Sequence, residues 1–176
     1  RGESDPSSSC RMNVLLIGGS GFIGNNVLQE LRSQSIFDVW ALEHSTPLPN
    51  DFPRTRIIKK GLRDLSLLDL KTINPDVIIH LGRPTFPKLR GLGRKLSAAK
   101  GKRWNSALID NLQKLEKCPR LIYVSGSLMY GNSNDVLSEG AVLNPISYAR
   151  DYSPLEEPIE DYLNSSESNG TLLRVP

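Results

Sequence analysis

The chain has 176 residues, of which 38% are hydrophobic and 23% are charged, as is typical of one globular domain. A domain of this length buries about 70% of its unfolded surface, so it needs no disulfide framework to fold. Its two cysteines and two histidines are too dispersed in the sequence to predict a metal site. Since the net charge is only +3 and no apolar run reaches the roughly 18 residues of a membrane span, we expect a cytoplasmic protein with no membrane or nucleic-acid partner.

The chain divides into a short tail and one domain. Residues 1–11 are rich in Gly, Ser and Pro without apolar periodicity, which predicts a disordered tail. In residues 12–176, short apolar runs alternate with helical patterns, as in repeated βαβ units. Because several runs are apolar throughout, we predict a doubly wound, Rossmann-type parallel sheet with helices on both faces and strand order 3-2-1-4-5-6. The predicted strands are 13–18, 38–43, 56–60, 76–81, 120–125 and 171–175.

The strongest motif is a glycine-rich turn directly after the first strand. Gly18 permits the tight turn, Gly21 lets a pyrophosphate approach the backbone, and Gly24 lets the following helix pack against the strand. The free N–H groups at the start of that helix attract a phosphate. The motif therefore predicts dinucleotide binding, and the alternative is a glycine-rich turn without a ligand.

The end of the second predicted strand carries a candidate ribose ligand. Glu43 lies about 20 residues beyond the glycine turn, where a carboxylate accepts hydrogen bonds from ribose hydroxyls and repels a 2′-phosphate. This residue favours NAD as the cofactor. The neighbouring His44 could tolerate a 2′-phosphate, so NADP stays open, and a solvated strand end is the alternative for Glu43.

From about residue 13 to residue 176 the sequence resembles the extended short-chain dehydrogenase/reductase family, which includes the nucleotide-sugar epimerases and dehydratases. The resemblance rests on the glycine turn, the run 75–81, Asn105 before the fifth strand, the run 121–125 followed by Tyr130 and Gly131, and the run 145–148. It implies a nucleotide sugar or another small molecule as substrate and allows a homodimer. Members continue beyond the sixth strand, so the resemblance implies that the substrate domain is absent or truncated here.

The resemblance also assigns cofactor contacts by position. It implies that the glycine turn surrounds the pyrophosphate, that Glu43 binds the ribose, and that the 62–63 pair lies against adenine. A segment at 81–83 would pass under the cofactor, and its arginine is unusual in the family. The cofactor-binding residues implied in this way are Gly18, Gly21, Phe22, Ile23, Gly24, Glu43, Leu62, Arg63, Leu81, Gly82, Arg83 and Asn105.

The family chemistry is hydride transfer at a sugar carbon, and the resemblance assigns its acid/base tyrosine to Tyr148. Two partner positions depart from the family. Tyr152 stands where a lysine is expected, and Gly126 replaces a Ser or Thr, with Ser125 and Ser127 on either side of it. Two functions therefore remain open: an epimerase, dehydratase or reductase, or a catalytically inactive dinucleotide-binding module that acts as a ligand sensor or interaction protein.

Two further segments carry structural predictions. Pro154 and Pro158 follow Tyr148 closely, and interior prolines break helices, so we predict a short helix there. Residues 83–103 contain eight basic residues and no acidic one, with three glycines, which predicts a mobile loop before a helix at Trp104. This stretch could be a solvated loop, a clamp for a nucleotide diphosphate, or a contact for RNA or an acidic protein, but few aromatics argue against single-stranded RNA.

Overall fold

A computed structural model describes residues 11–48, 56–84, 90–166 and 168–176 of the chain. Residues 1–10 of the predicted tail and residues 85–89 of the basic stretch lie outside the described residues. Strands and helices alternate along the described part of the chain. In order they are β1 (Met12–Ile17), α1 (Phe22–Ser33), β2 (Phe37–Leu42), β3 (Ile57–Ile58), α2 (Leu67–Ile73), β4 (Val77–His80), α3 (Arg90–Leu112), β5 (Arg120–Gly126), α4 (Ser147–Leu163) and β6 (Gly170–Val175).

The strands form one parallel sheet in the order β3-β2-β1-β4-β5-β6, so the predicted strand order is confirmed. Most strands begin or end within one residue of the predicted bounds, whereas β3 has two residues instead of five. The strand order reverses at β1, which lies between β2 and β4. In such sheets a ligand binds at the carboxyl ends of the strands beside this reversal.

Helices cover both faces of the sheet, as predicted. Leu15 and Ile17 of β1 belong to the larger apolar cluster, which includes side chains of α2, α3 and α4. Leu16 points to the other face, where Leu28 of α1 is fully buried. Alternate residues of β1 therefore enter two separate cores, which explains why the strand is apolar along its whole length.

The prediction of a mobile loop before Trp104 is wrong for the described part of the basic stretch, because α3 is helical from Arg90. Arg94 pairs with Asp151 of α4 at 2.8 Å, and acids of α4 thus offset part of the positive charge. Gly101 lets the helices approach closely, since a Cβ there would lie 2.1 Å from Leu155 Cδ1. Packing against α4 therefore stabilises a segment whose local composition disfavours a helix.

The prediction of a short helix around Tyr148 is also wrong, because α4 continues through Pro154 and Pro158. A proline cannot donate to the carbonyl four residues earlier, which leaves the Arg150 carbonyl without its usual partner. The Ser153 hydroxyl donates to that carbonyl instead, at 3.1 Å. Burial of apolar side chains on the inner face of α4 offsets the remaining cost of the two prolines.

Within the part of the chain that the structure describes, none of the helices combines the length and the apolar character needed to span a bilayer.

Candidate functional site

A cavity of about 660 Å³ opens at the carboxyl ends of the central strands. Its walls come from the turn between β1 and α1, the segment after β4, the end of β5 and the first half of α4. The structure thus brings most of the predicted site residues together around one space. Those that line the cavity are Gly18, Gly21, Phe22, Ile23, Gly24, Leu81, Gly82, Arg83, Ser125 and Tyr148.

The glycine turn is packed so tightly that side chains are excluded at two of its positions. A Cβ at Gly24 would lie 2.0 Å from the Gly18 carbonyl oxygen, and one at Gly18 would lie 2.7 Å from the Gly82 nitrogen. Gly18 also has a φ of +89°, a conformation that favours glycine. These contacts hold the start of α1 against the segment after β4.

Gly21 and the first turn of α1 form a cradle that faces the cavity. A Cβ at Gly21 would meet only the Gly18 carbonyl, at 3.4 Å, and would otherwise project into open space. No side chain caps the start of α1, and its first turn contains no acidic residue. The exposed N–H groups and the helix dipole therefore suit an anion, and the turn fits a dinucleotide pyrophosphate.

A smaller cavity of about 180 Å³ adjoins the first and shares Gly82 and Arg83 with it. Leu62 and Arg63, which we predicted to lie against adenine, line this smaller cavity together with His44. Their position next to the large cavity fits the adenosine end of a dinucleotide. The role of each residue stays a prediction.

Glu43, the predicted ribose ligand, lies at the end of β2 but lines neither of these two cavities. Its Oε2 accepts a hydrogen bond from the Leu48 backbone at 3.0 Å. In this arrangement the carboxylate holds the segment after β2. Ribose binding by Glu43 therefore stays a prediction that requires the carboxylate to accept a further hydrogen bond.

Asn105, predicted to lie near the cofactor, is buried behind the cavity. Its Oδ1 accepts from His80 Nε2 at 3.0 Å, and its Nδ2 donates to the Leu155 carbonyl at 2.8 Å. The Gly82 N–H donates to His80 Nδ1 at 3.2 Å, so the proton of the neutral imidazole is on Nε2. Burial lowers the pKa of His80 to about 4. Asn105 thus connects β4, α3 and α4 and positions the backbone of Gly82.

One face of α4 supplies three polar side chains of the large cavity. Tyr148, Tyr152 and Glu156 are four residues apart, so they lie in one row along the helix, and all three line the cavity. Tyr148 is 44% exposed and accessible to a ligand. Tyr123 on β5 also lines the cavity, but burial raises the pKa of this tyrosine well above its usual value. Tyr148 is therefore the better candidate for proton transfer.

The position four residues after Tyr148 carries an aromatic ring in place of a cation. The Arg83 guanidinium lies over the ring of Tyr152, with its carbon 4.6 Å from the ring centroid. A positive charge is thus present in the cavity, although it comes from the segment after β4 and not from α4.

Ser125 belongs to a charged cluster that sequence reasoning missed. Its hydroxyl donates to Glu156, which also accepts from Arg174 at 2.8 Å, while Arg174 donates to Glu160 at 2.7 Å. Burial opposes the charge of Arg174, but the two carboxylates hold the pKa of this group above its usual value. No local sequence signal marks the cluster, because its members lie on β5, α4 and β6.

The other two positions at the end of β5 differ in accessibility. Ser127 begins the 3-10 turn Ser127–Met129 and does not line the large cavity. Gly126 does line it, and a Cβ at this position would meet nothing within 4 Å. A serine hydroxyl at position 126 would therefore fit without a clash, whereas the native chain has none there.

No metal centre is formed by the described residues, among which no three His, Cys, Asp or Glu side chains are grouped to hold an ion.

Comparisons with known proteins agree with this geometry. Residues 14–175 match the model of the NAD dependent epimerase/dehydratase family. The chain is 25% identical, over 94% of its length and 55% of the relative's, to D-erythronate dehydrogenase from Cupriavidus necator.

Solved structures with the same fold include two epimerases. UDP-glucose 4-epimerase from Brucella ovis in complex with NAD has a TM-score of 0.77 and 22% identity, over 93% of this chain and 51% of that one. UDP-glucuronic acid 4-epimerase from Bacillus cereus, in complex with UDP-glucuronic acid and NAD, has a TM-score of 0.73 and 21% identity, over 93% and 56%. The chain thus spans about half the length of these proteins. From the match over nearly all of its sequence, the chain belongs to the NAD-dependent epimerase/dehydratase family.

Proposed function

We propose that this chain binds NAD along the carboxyl edge of its sheet and uses Tyr148 as the acid/base group of an oxidoreductase that acts on a nucleotide sugar. The observation that carries the proposal is that Tyr148 and the glycine turn line the same cavity. A cofactor bound at the turn and a substrate in contact with Tyr148 therefore meet in one space. The family match and the NAD in the related epimerase structures support the choice of cofactor.

The chain's own residues would hold the cofactor at two places. The backbone of Gly21 and the start of α1 face the pyrophosphate, and the smaller cavity, with Leu62 and Arg63, receives the adenosine. When bound, NAD supplies the acceptor for a hydride from the substrate carbon. The close contact between Gly18 and Gly82 fixes the position of the glycine turn relative to the segment that lines the smaller cavity.

Tyr148 handles the proton of the same oxidation. As the substrate carbon gives up its hydride, the C–O bond becomes a carbonyl and the hydroxyl proton passes to the phenolate oxygen of Tyr148; the resulting phenol returns this proton in the reverse direction. A neighbouring hydroxyl that holds the substrate oxygen is absent at Gly126, and the Ser125 hydroxyl is already bonded to Glu156. Tyr148 thus acts with less support from β5 than a serine at position 126 would give.

The test compares Tyr148→Phe with Tyr130→Phe, a matched control because Tyr130 does not line the cavity. UDP-glucose, UDP-glucuronic acid and D-erythronate serve as substrates. The absorbance of reduced nicotinamide reports net oxidation, and proton NMR of the sugar reports epimerisation or dehydration, in which the hydride returns to the product. We expect Tyr148→Phe to lose about 100-fold or more of the rate, while calorimetry finds the affinity for NAD unchanged. Turnover by Tyr148→Phe at the rate of the control would contradict the assignment.

A second candidate function, a dinucleotide-binding module without turnover, is favoured by the residues at positions 126 and 152. Gly126 offers no hydroxyl, and Tyr152 offers no charge. The double variant Gly126→Ser/Tyr152→Lys separates the two functions. A module binds NAD and shows no turnover with or without the two substitutions, whereas measurable turnover in the native chain, lost in Tyr148→Phe, excludes it.

A further inference from the structure

Arg83 occupies a special place between the two cavities. It follows β4 and lines both the large cavity and the smaller one. Its neighbour Gly82 is the residue that contacts Gly18 in the glycine turn. The Arg83 side chain therefore starts one residue after this contact. The side chain is exposed, and none of the ion pairs among the described residues involves it.

The charge balance of the large cavity makes this arginine important. Among its described lining residues, the charged ones are Arg83 and Glu156. Glu156 is paired with Arg174, which also pairs with Glu160, and it accepts from the Ser125 hydroxyl. Glu156 is thus held within its own cluster, whereas Arg83 has no carboxylate partner among the described residues, and its charge adds to the positive end of the α1 dipole.

The ring of Tyr152 fixes how Arg83 can bind. With the guanidinium carbon 4.6 Å from the ring centroid, the cation lies over the face of the ring. Contact on that face leaves the N–H groups at the edge of the guanidinium available, and these groups match a phosphate or carboxylate in a bidentate pair. The contact also orders a long side chain before the ligand arrives, which lowers the entropy lost on binding.

We propose that Arg83, positioned by the ring of Tyr152, binds an oxyanion of the ligand in the large cavity, either the pyrophosphate of the dinucleotide or an acidic group of the substrate. This inference rests on the proposed function, since it assigns the anionic contact of that same site. It also explains two departures from the family together. A lysine at position 152 would place a second cation against Arg83, so the arginine and the tyrosine form a compensating pair.

The experiment measures ligand binding by calorimetry in Arg83→Gln and Arg83→Lys. Arg150→Gln is the matched control, because Arg150 is an exposed arginine of α4 that does not line the cavity. The probes are NAD, inorganic pyrophosphate and uncharged adenosine, followed by D-erythronate and UDP-glucuronic acid with NAD at saturation. We expect Arg83→Gln to weaken at least one anionic probe by about 10- to 100-fold, with adenosine and the control unchanged. The lysine variant should recover only part of the loss.

The probes distinguish the two sources of the anion. A loss for NAD and pyrophosphate identifies the dinucleotide, and a loss confined to D-erythronate or UDP-glucuronic acid identifies the substrate. A lower salt dependence of binding in Arg83→Gln must accompany either loss. If Arg83→Gln binds every probe as the native chain does, or if no anionic probe binds the native chain, the inference is overturned.

Variants of Tyr152 test its positioning role separately. Tyr152→Phe keeps the ring and should bind as the native chain does, whereas Tyr152→Ala should weaken the same probes several-fold. Equal affinity in Tyr152→Ala and Tyr152→Phe would contradict the positioning role. If turnover depends on Tyr148 but not on Arg83, the anion-binding role of Arg83 is overturned and the proposed function stands. If the chain binds pyrophosphate through Arg83 but shows no turnover, only the proposed function is overturned.

Discussion

The buried His80 makes the folded protein sensitive to acid, and replacing it should remove that sensitivity. The imidazole is fully buried, donates to Asn105 and accepts from the Gly82 N–H. Burial lowers the pKa of His80 from 6.5 to about 4, so the folded state keeps this residue neutral over a range where the unfolded chain binds a proton. His80 therefore contributes full stability above pH 6.5 and loses it as the pH falls towards 4.

The size of the loss follows from the shift. Each pKa unit corresponds to about 1.4 kcal/mol, so the contribution of His80 to the free energy of unfolding falls by about 3 kcal/mol across this range. In His80→Gln this contribution is absent. The variant loses about 1–3 kcal/mol near neutrality, because the hydrogen bonds of Asn105 and Gly82 are weakened. Its disadvantage relative to the native chain should then shrink as the pH falls, and vanish or reverse before pH 4 is reached.

Urea titrations at several pH values, followed by the fluorescence of Trp40 and Trp104, measure these free energies. His44→Gln is the control, because His44 is exposed. The control should keep the native pH dependence, whereas His80→Gln should have a flatter one. Parallel pH profiles for the native chain and His80→Gln would refute the reasoning, as would an imidazole resonance of His80 that titrates near 6.5.

Three further substitutions test the packing around α4, each by chemical denaturation. Arg174→Met leaves Glu156 buried without its partner and should cost about 3–5 kcal/mol, most of it recovered in a double variant with Glu156→Leu; a loss below about 1 kcal/mol would contradict the pair. Ser153→Ala removes the donor to the Arg150 carbonyl and should cost about 1 kcal/mol; no change would show that water serves this carbonyl equally well. Gly101→Val should cost about 1–3 kcal/mol, because the added atoms collide with a leucine of α4; a neutral result would contradict the close approach of the helices.

The sequence alone was sufficient to predict the sheet and the glycine turn that follows β1, because their signals are local. Strands buried on both faces are apolar along their length, as in β1, and Gly21 and Gly24 both lie close to the Gly18 carbonyl, only a few residues away in the sequence. The strand order then followed from the connection rules of parallel sheets. These features required no knowledge of distant contacts.

The errors have the opposite cause, since each involves partners that are far apart in the sequence. The helical start of α3 depends on packing and ion pairs with α4, such as the one between Arg94 and Asp151. The two prolines disfavour α4 locally, and burial of its apolar side chains against distant parts of the chain outweighs them. The cluster of Ser125, Glu156 and Arg174 joins β5, α4 and β6, and no periodic pattern marks such an arrangement.

A calorimetric titration with NAD tests the central claim most directly, with the native chain compared to Gly24→Ala and Gly140→Ala. Alanine at position 24 collides with the Gly18 carbonyl at 2.0 Å, whereas a Cβ at Gly140 meets nothing within 4 Å. The account predicts saturable binding of NAD by the native chain and by Gly140→Ala, and loss of that binding in Gly24→Ala while the fold, followed by circular dichroism, is kept. Absence of heat with the native chain, or equal affinity in Gly24→Ala, would contradict the claim that the dinucleotide binds at the turn between β1 and α1.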